Sequence, residues 1–496
     1  MRRAIPADRE EACISAALGE GALNVAREAT QIVDDQRAVL RARILIGDPA
    51  GFVGRVAMVE ERSPDQTWAR VEAIPQPGTS QLGRAELHAG EMAPERGGGA
   101  DDHDRPVRHR HQDSPVGDDA DTMRIADFAL ERFFARWEFA VEHLLCASDV
   151  QGMPMAEVLA LADDETRAMW EGLTLGYTES TGHPLLRREI AALYDDLEAD
   201  DILVFAGAEE AIFCLANALL SPGDHAIVTW PGYQSLYEVA RSTGADVTLH
   251  ELREDTGWSI DLERLRGQLT PATKLIVVNG PHNPTGMLPD RATFDGLVAL
   301  AEEAGAYVLS DEVYRYLEFD ERDRLPTGAD SLPQGISLGV MSKSFAMPGL
   351  RIGWLATRDR DVLERCMRLK DYTTICSSAP SEVLALIGLR ARDVVLARSR
   401  SIVQSNIERL DVFFDEWADR FSWVRPRGGS IGFPRLTVPG VSIDDWAAGL
   451  VETEGVLLLP ASQFGYGGNH FRLGFGRTDL PVALDRLERY AEATLR

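Results

Sequence analysis

From Met123 onward the chain alternates two kinds of apolar pattern. "MRIADFALERFFARWEFAVEHLL" spaces its large apolar residues at helical intervals. Short runs rich in Val and Ile then take turns with helical stretches. "DILVFAG" precedes "AEEAIFCLANALL", "HAIVTW" precedes "YQSLYEVARSTG", and "TKLIVVNG" precedes "RATFDGLVALAEEAG"; "AYVLSDEVY" and "GISLGVMS" follow. Continuous apolar runs separated by helices predict a mostly parallel sheet covered on both faces, an α/β architecture in three layers. Beyond about residue 365 long helical patterns return. "GGSIGFPRL", "GVLLLP" and "HFRLGFG" then read as strands of a second, smaller layer.

Upstream of Met123 the pattern is weaker. "ADREEACISAALGEGALNVAREATQIVDDQRAVLRARIL" is read as one or two amphipathic helices. Residues 88–122 are nearly free of large apolar side chains, so they bury too little surface to offset the entropy of ordering and are expected to be disordered. Within them, "HDRPVRHRH" is read as a solvated polar tract, not a metal site.

Composition narrows the function classes. The chain has 496 residues, 45% apolar and 26% charged, in keeping with a globular protein large enough for more than one domain. Its formal net charge is -28, which disfavours nucleic acid and anionic membranes as partners. The segment 1–122 is acidic too, with 15 arginines, no lysine and 22 acidic residues, so it is no basic arm. Five scattered cysteines (Cys13, Cys146, Cys214, Cys366 and Cys376) read as reduced thiols of a cytoplasmic protein, without a disulfide framework or a zinc site. No apolar run reaches membrane-spanning length, and "MRRAIPADREEA" lacks the apolar stretch of a signal peptide.

The chemistry collects at the strand ends, where an open parallel sheet binds its ligands. At the first, "FAGAEEAIF", a strand turns through Gly207 into a helix, whose free N–H groups and dipole favour an anion. At the second, "TWPGYQSLY", Tyr233 follows a Pro-Gly turn and offers a flat face. The third, "NGPHNPTG", fixes the amide of Asn283 ahead of Pro284. At the fourth, "YVLSDEVYRYLEF", Asp311 closes an apolar strand and needs a partner, with Tyr314 three residues on. The fifth, "GVMSKSFAMPGLRIGW", carries Lys343 and Arg351. Only three lysines, Lys274, Lys343 and Lys370, stand among 51 lysines and arginines. A position that stays lysine in such a chain points to an amine that can lose its proton and attack a carbonyl. Amine, carboxylate, amide, phenol and anion clamp together suit an aromatic aldehyde carrying a phosphate.

On these motifs, "HNPTG", "SDEVY" and "SKSFAMPGLRIGW" in that order, residues 123–496 resemble the fold-type I pyridoxal-phosphate enzymes, the class I/II aminotransferases. The resemblance implies an aspartate aminotransferase-like fold: a large domain with a mostly parallel seven-stranded sheet over residues 171–367, and a smaller α+β domain from 123–170 and 368–496, behind an extension at 1–122. It implies that Lys343 binds pyridoxal 5'-phosphate covalently and that Asp311 pairs with the ring nitrogen. Asn283 and Tyr314 would bond the ring's phenolic oxygen, and Tyr233 would stack on the ring. The amides of Ala208 and Glu209, the Ser342 hydroxyl and Arg351 would hold the phosphate. Arg472 resembles the arginine that forks the substrate's α-carboxylate. Tyr177 resembles the tyrosine that reaches the phosphate of a neighbouring subunit, which implies a homodimer with shared sites. Two departures stand out. Val340 occupies a place where relatives often have Ser or Thr, and "CASDVQGMP" replaces the usual glycine-rich substrate loop.

The leading function is an aminotransferase moving an amino group from an L-amino acid to a 2-oxo acid, with no metal. "KDYTTICSSAPSE" and "RPRGGSIGFPRL" also resemble capreomycidine synthase and its relatives, which implies a lyase or cyclase acting on a β-substituted amino acid as the alternative. A third reading, an aminotransferase-like transcription regulator, is opposed by the acidic extension.

Overall fold

The computed structural model describes residues 25–34, 37–47, 53–63, 66–73, 85–88 and 125–495. The chain divides into two compact units, Met1–Pro115 and Val116–Arg496.

The first unit holds five strands, β1 (Val25–Asp34), β2 (Arg37–Gly47), β3 (Val53–Ser63), β4 (Gln66–Ala73) and β5 (Ala85–His88), paired antiparallel in that order. This corrects the helical expectation over residues 25–34 and 37–45; residues 7–24 lie outside the described residues. Leu40, Ala42, Ile44 and Ile46 recur at every second position with Arg41 and Arg43 between them, which is a strand period. The tract expected to be disordered, including "HDRPVRHRH", lies outside the described residues apart from His88.

The second unit is built on a seven-stranded sheet: β6 (Ile202–Phe205), β7 (His225–Trp230), β8 (Asp246–Glu251), β9 (Thr273–Asn279), β10 (Tyr307–Asp311), β11 (Gly335–Val340) and β12 (Gly353–Ala356). Their spatial order is β6-β12-β11-β10-β9-β7-β8. All neighbours run parallel except β12, which is antiparallel to both β11 and β6. Successive residues of β9 serve opposite layers. Leu275 and Val277 pack with Ile212 and Leu215 of the helix Ala208–Leu219, whereas Ile276 and Val278 pack with Leu297 and Leu300 of the helix Arg291–Ala304. Each fully buried apolar side chain of this kind contributes about 1.5–3 kcal/mol, so the three layers follow from the uninterrupted apolar runs.

The smaller layer joins β13 (Phe421–Ser422) to β15 (Arg435–Leu436), and sets β17 (Phe471–Gly474) between β14 (Ile431–Gly432) and β16 (Leu459–Pro460). Its core includes Leu410, Phe413, Trp446, Leu450, Leu473 and Leu487. The segment after the first helix joins this layer through Leu457 N–H to His143 O and Gly474 N–H to Leu145 O, both 2.9 Å. Two helices from the segments expected in the smaller domain pack on the large sheet. The helix Ala379–Arg390 buries Val383, Leu386 and Ile387 with Ile202 and Val204 of the sheet. Val158 of the helix Met155–Ala160 enters the same core. Among the described residues no helix is long and apolar enough to cross a membrane.

Candidate active site

The C-terminal ends of β6, β9, β10 and β11 border a cavity of about 680 Å³, closed from the other side by the helix Ala129–Trp137, the segment 147–149 and Arg472 of β17.

One end is shaped for an anion. Gly207 precedes the helix Ala208–Leu219 with φ 93° and ψ 173°, a region open to glycine alone. A Cβ there would lie 2.6 Å from Arg351 Nη2, so the absence of a side chain admits the guanidinium over the helix start. Gly353 plays a matching part, since its Cβ would meet the Gly207 carbonyl carbon at 2.7 Å and the Ala208 nitrogen at 2.8 Å. Arg351 holds a left-handed backbone, φ 52°, after the turn Pro348–Leu350 and has no ion pair among the described residues. Ser342 is buried and lines the same cavity, as does Val340, where a hydroxyl is lacking. Glu209 turns its carboxylate to Ser235, whose Oγ donates at 2.5 Å, and this answers how an acid can stand beside an anion site.

The centre holds the lysine and the aspartate. Burial pushes the Asp311 carboxyl up to about 7, although the Val313 amide at 3.3 Å and the charge of Lys343 favour its ionised form. Lys343 is half-buried, with its amine facing the cavity and donating to Ser148 Oγ at 2.9 Å. Burial holds its pKa below the ordinary lysine value; Asp149 opposes this and Arg472 adds to it. Tyr314 is fully buried, and its hydroxyl lies beside Ser148 without a well-formed hydrogen bond. Asn283 donates its backbone N–H to Asn279 Oδ1 at 2.6 Å. Tyr233 lines the cavity with Phe128 against it, ring centroids 5.3 Å apart.

At the far end Arg472 is 1% exposed. Its Nε and Nη2 donate to Cys146 O at 3.1 and 3.0 Å, and Nη1 donates to Asn283 Oδ1 at 3.2 Å. Among the described residues no carboxylate pairs with it. A buried guanidinium without a counter-charge is costly, and one that lines a cavity fits an anionic ligand.

A family model described as Aminotransferase class I and II matches residues 143–487. The chain belongs to the class I and II aminotransferases. It is similar to a probable aspartate aminotransferase of Methanocaldococcus jannaschii, 30% identical over 320 residues, covering 62% of this chain and 83% of that protein. It is also similar to capreomycidine synthase of Streptomyces vinaceus, 31% identical over 300 residues, covering 60% and 75%. A pyridoxal-phosphate (PLP)-dependent aminotransferase from Streptococcus suis superposes with TM-score 0.71 at 32% identity, over 75% of this chain and 99% of that one. The PLP-dependent cyclase OrfR superposes with TM-score 0.69 at 28% identity, over 75% and 98%.

As a member of this family the protein is a PLP-dependent enzyme, and its own residues fit the cofactor. The unsatisfied phenol of Tyr314 awaits an acceptor or donor in the cavity. The side-chain-free Gly207 leaves an anion cradle under Arg351, and Asp311 is buried on the same cavity as Lys343 with no ion pair among the described residues. Of the residues expected from sequence, Ala208, Glu209, Tyr233, Asn283, Asp311, Tyr314, Ser342, Lys343, Arg351 and Arg472 converge on this cavity. Tyr177 does not: it is 90% exposed, on the loop before the helix Pro184–Ala191. Sequence reasoning missed Ser148, Asp149 and Arg477, the last two joined at 2.8 Å, as well as Glu131 and Phe134. Ser148 and Asp149 lie in "CASDVQGMP", which stands out as a stretch but not residue by residue; backbone pairing between distant segments brings 147–149 to β17.

Proposed function

We propose that the enzyme moves an amino group from an L-amino acid to a 2-oxo acid. The observation that carries this reading is the meeting around one cavity of Lys343, Asp311 and Arg472, which has no carboxylate partner among the described residues. Lys343 would hold the cofactor, with Asp311 facing its ring nitrogen and Tyr233 its ring face. Asn283 and Tyr314 would bond the phenolic oxygen; Ser342, Arg351 and the amides of Ala208 and Glu209 would hold the phosphate. When bound, PLP supplies an electron sink for the electrons released at the substrate's α-carbon. Arg472 orients the substrate by its α-carboxylate with two parallel hydrogen bonds. Lys343, its amine kept neutral more readily by burial, takes the α-proton and returns it one position away. Ser148, bonded to the amine, holds it between these positions.

Exposed Leu175, Tyr177 and Tyr372 support assembly as a homodimer in which Tyr177 reaches the neighbour's phosphate. Their two loops are tied by Thr178 Oγ1 donating to Ser377 O at 3.0 Å. A cytoplasmic setting suits the free thiols of Cys146, Cys214, Cys366 and Cys376. Similarity to capreomycidine synthase and to the cyclase OrfR favours a second reading, elimination and ring closure on a β-substituted amino acid. One experiment separates them. Holoenzyme given an amino acid without acceptor should release one 2-oxo acid per site and stop with the amino group on the cofactor. Continuous release of ammonia or of a cyclic amino acid from a β-substituted substrate would replace the first reading with the second.

A further inference from the structure

Most charges lining the cavity are matched within the protein or have a task in the reading above. Asp149 pairs with Arg477, and Glu209 accepts from Ser235. Two carboxylates are left over. Glu131 and Glu138 both line the cavity, and neither side chain has a hydrogen bond or ion pair among the described residues. They stand seven positions apart on the helix Ala129–Trp137 and its C-cap, with Phe134 between them, so the three share one helix face. The Arg472 guanidinium lies 5.7 Å from the centre of the Phe134 ring, so this face borders the carboxylate-binding end.

The geometry points to an amino-acid substrate whose side chain is a chain of methylenes ending in a cation, guanidinium or ammonium, held by Glu131 and Glu138. This rests on the reading that Arg472 takes the α-carboxylate and Lys343 faces the α-carbon. A side chain leaving that point would run along Phe134, which suits methylenes, and end at the two carboxylates. Burial first, and then the carboxylates of Glu209 and Glu138, raise the Glu131 carboxyl above its ordinary value against the opposing charges of Lys343 and Arg472, and a further cation would relieve that crowding. A substrate with a side-chain carboxylate would add to that crowding. An uncharged polar side chain would leave both glutamates without an ion-pair partner.

Arginine and citrulline test this, since they share length and shape and differ in charge. Each would be titrated into holoenzyme, with binding read from the visible cofactor spectrum and kcat/KM from product formed. Lysine, norleucine and aspartate complete the set. Arginine is expected to exceed citrulline by roughly tenfold or more, as for a charge-assisted hydrogen bond in a partly open site, with lysine above norleucine and aspartate poorest. E131Q and E138Q should each shrink the arginine-to-citrulline ratio, and the double variant should bring it near unity. Retention of the resting visible spectrum shows that these variants fold. Equal use of arginine and citrulline by the wild type, or a ratio untouched in both variants, overturns the proposal and leaves the aminotransferase reading standing. A chain that forms no visible cofactor band at all overturns both.

Discussion

Replacing Arg472 with Met removes the guanidinium while keeping much of the side-chain volume. In the free protein the change breaks the bonds to Cys146 O at 3.1 and 3.0 Å and to Asn283 Oδ1 at 3.2 Å. Leaving those acceptors without a donor costs about 1–3 kcal/mol of stability, but the substitution also removes a buried charge with no counter-ion, which offsets part of that cost. With substrate bound, two charge-assisted hydrogen bonds to the α-carboxylate vanish, each worth about 1.5–3 kcal/mol. Together they correspond to roughly 10²–10⁴ in kcat/KM at 1.4 kcal/mol per tenfold. The assay compares an amino acid with the amine that lacks its carboxylate. Wild type should prefer the amino acid by that factor, and Arg472→Met should lose the preference with little change toward the amine. An unchanged preference in a folded, cofactor-loaded variant would refute the assignment of Arg472.

Three further outcomes follow from the same geometry. Gly207→Ala should weaken cofactor affinity by roughly 10–100-fold in a titration, because an unfavourable backbone region costs about 1–3 kcal/mol and the new Cβ displaces Arg351; unaltered affinity would mean that Arg351 does not serve the phosphate. Asp311 has a folded-state value of about 7 against an ordinary 3.8, so its contribution to the cofactor-free protein is full below about pH 4 and is lost as pH rises through 7. Asp311→Asn should therefore gain on wild type in melting temperature between pH 5 and pH 8, and parallel profiles would contradict this. A chain beginning at Met123 keeps all but the first seven residues of the second compact unit and should bind PLP and turn over at near the full rate, with loss of soluble protein as the contrary result.

The layered sheet was legible because its strands are unbroken apolar runs, and the positions of Asp311 and Lys343 at successive strand ends followed from it. Two strands were not. β8 lies at the sheet edge, partly exposed, and its "DVTLHE" mixes polar and apolar residues without a long run. β12 has only four residues, and its antiparallel direction is set by packing between β6 and β11. The helical reading failed over residues 25–34 and 37–45 because a period of two competed there with a weaker helical period. Glu131 and Glu138 stand between the apolar positions of a helical pattern that by itself gives them no task, and only the fold brings them to a cavity. The stretch "CASDVQGMP" was legible as a replaced substrate loop, but the roles of Ser148 and Asp149 within it were not, because backbone pairing of distant segments brings them to the site.

The central claim is that Lys343 carries the cofactor, and it is tested by the absorption spectrum of Lys343→Ala. The wild-type protein loaded with PLP should show the visible band of lysine-bound cofactor, which borohydride reduction would fix to a peptide containing Lys343. Lys343→Ala should lack that band and that adduct and turn over no substrate, whereas Lys274→Arg and Lys370→Arg should keep both. A Lys343→Ala protein that retains the resting band, or an adduct mapped to another lysine, would contradict the account.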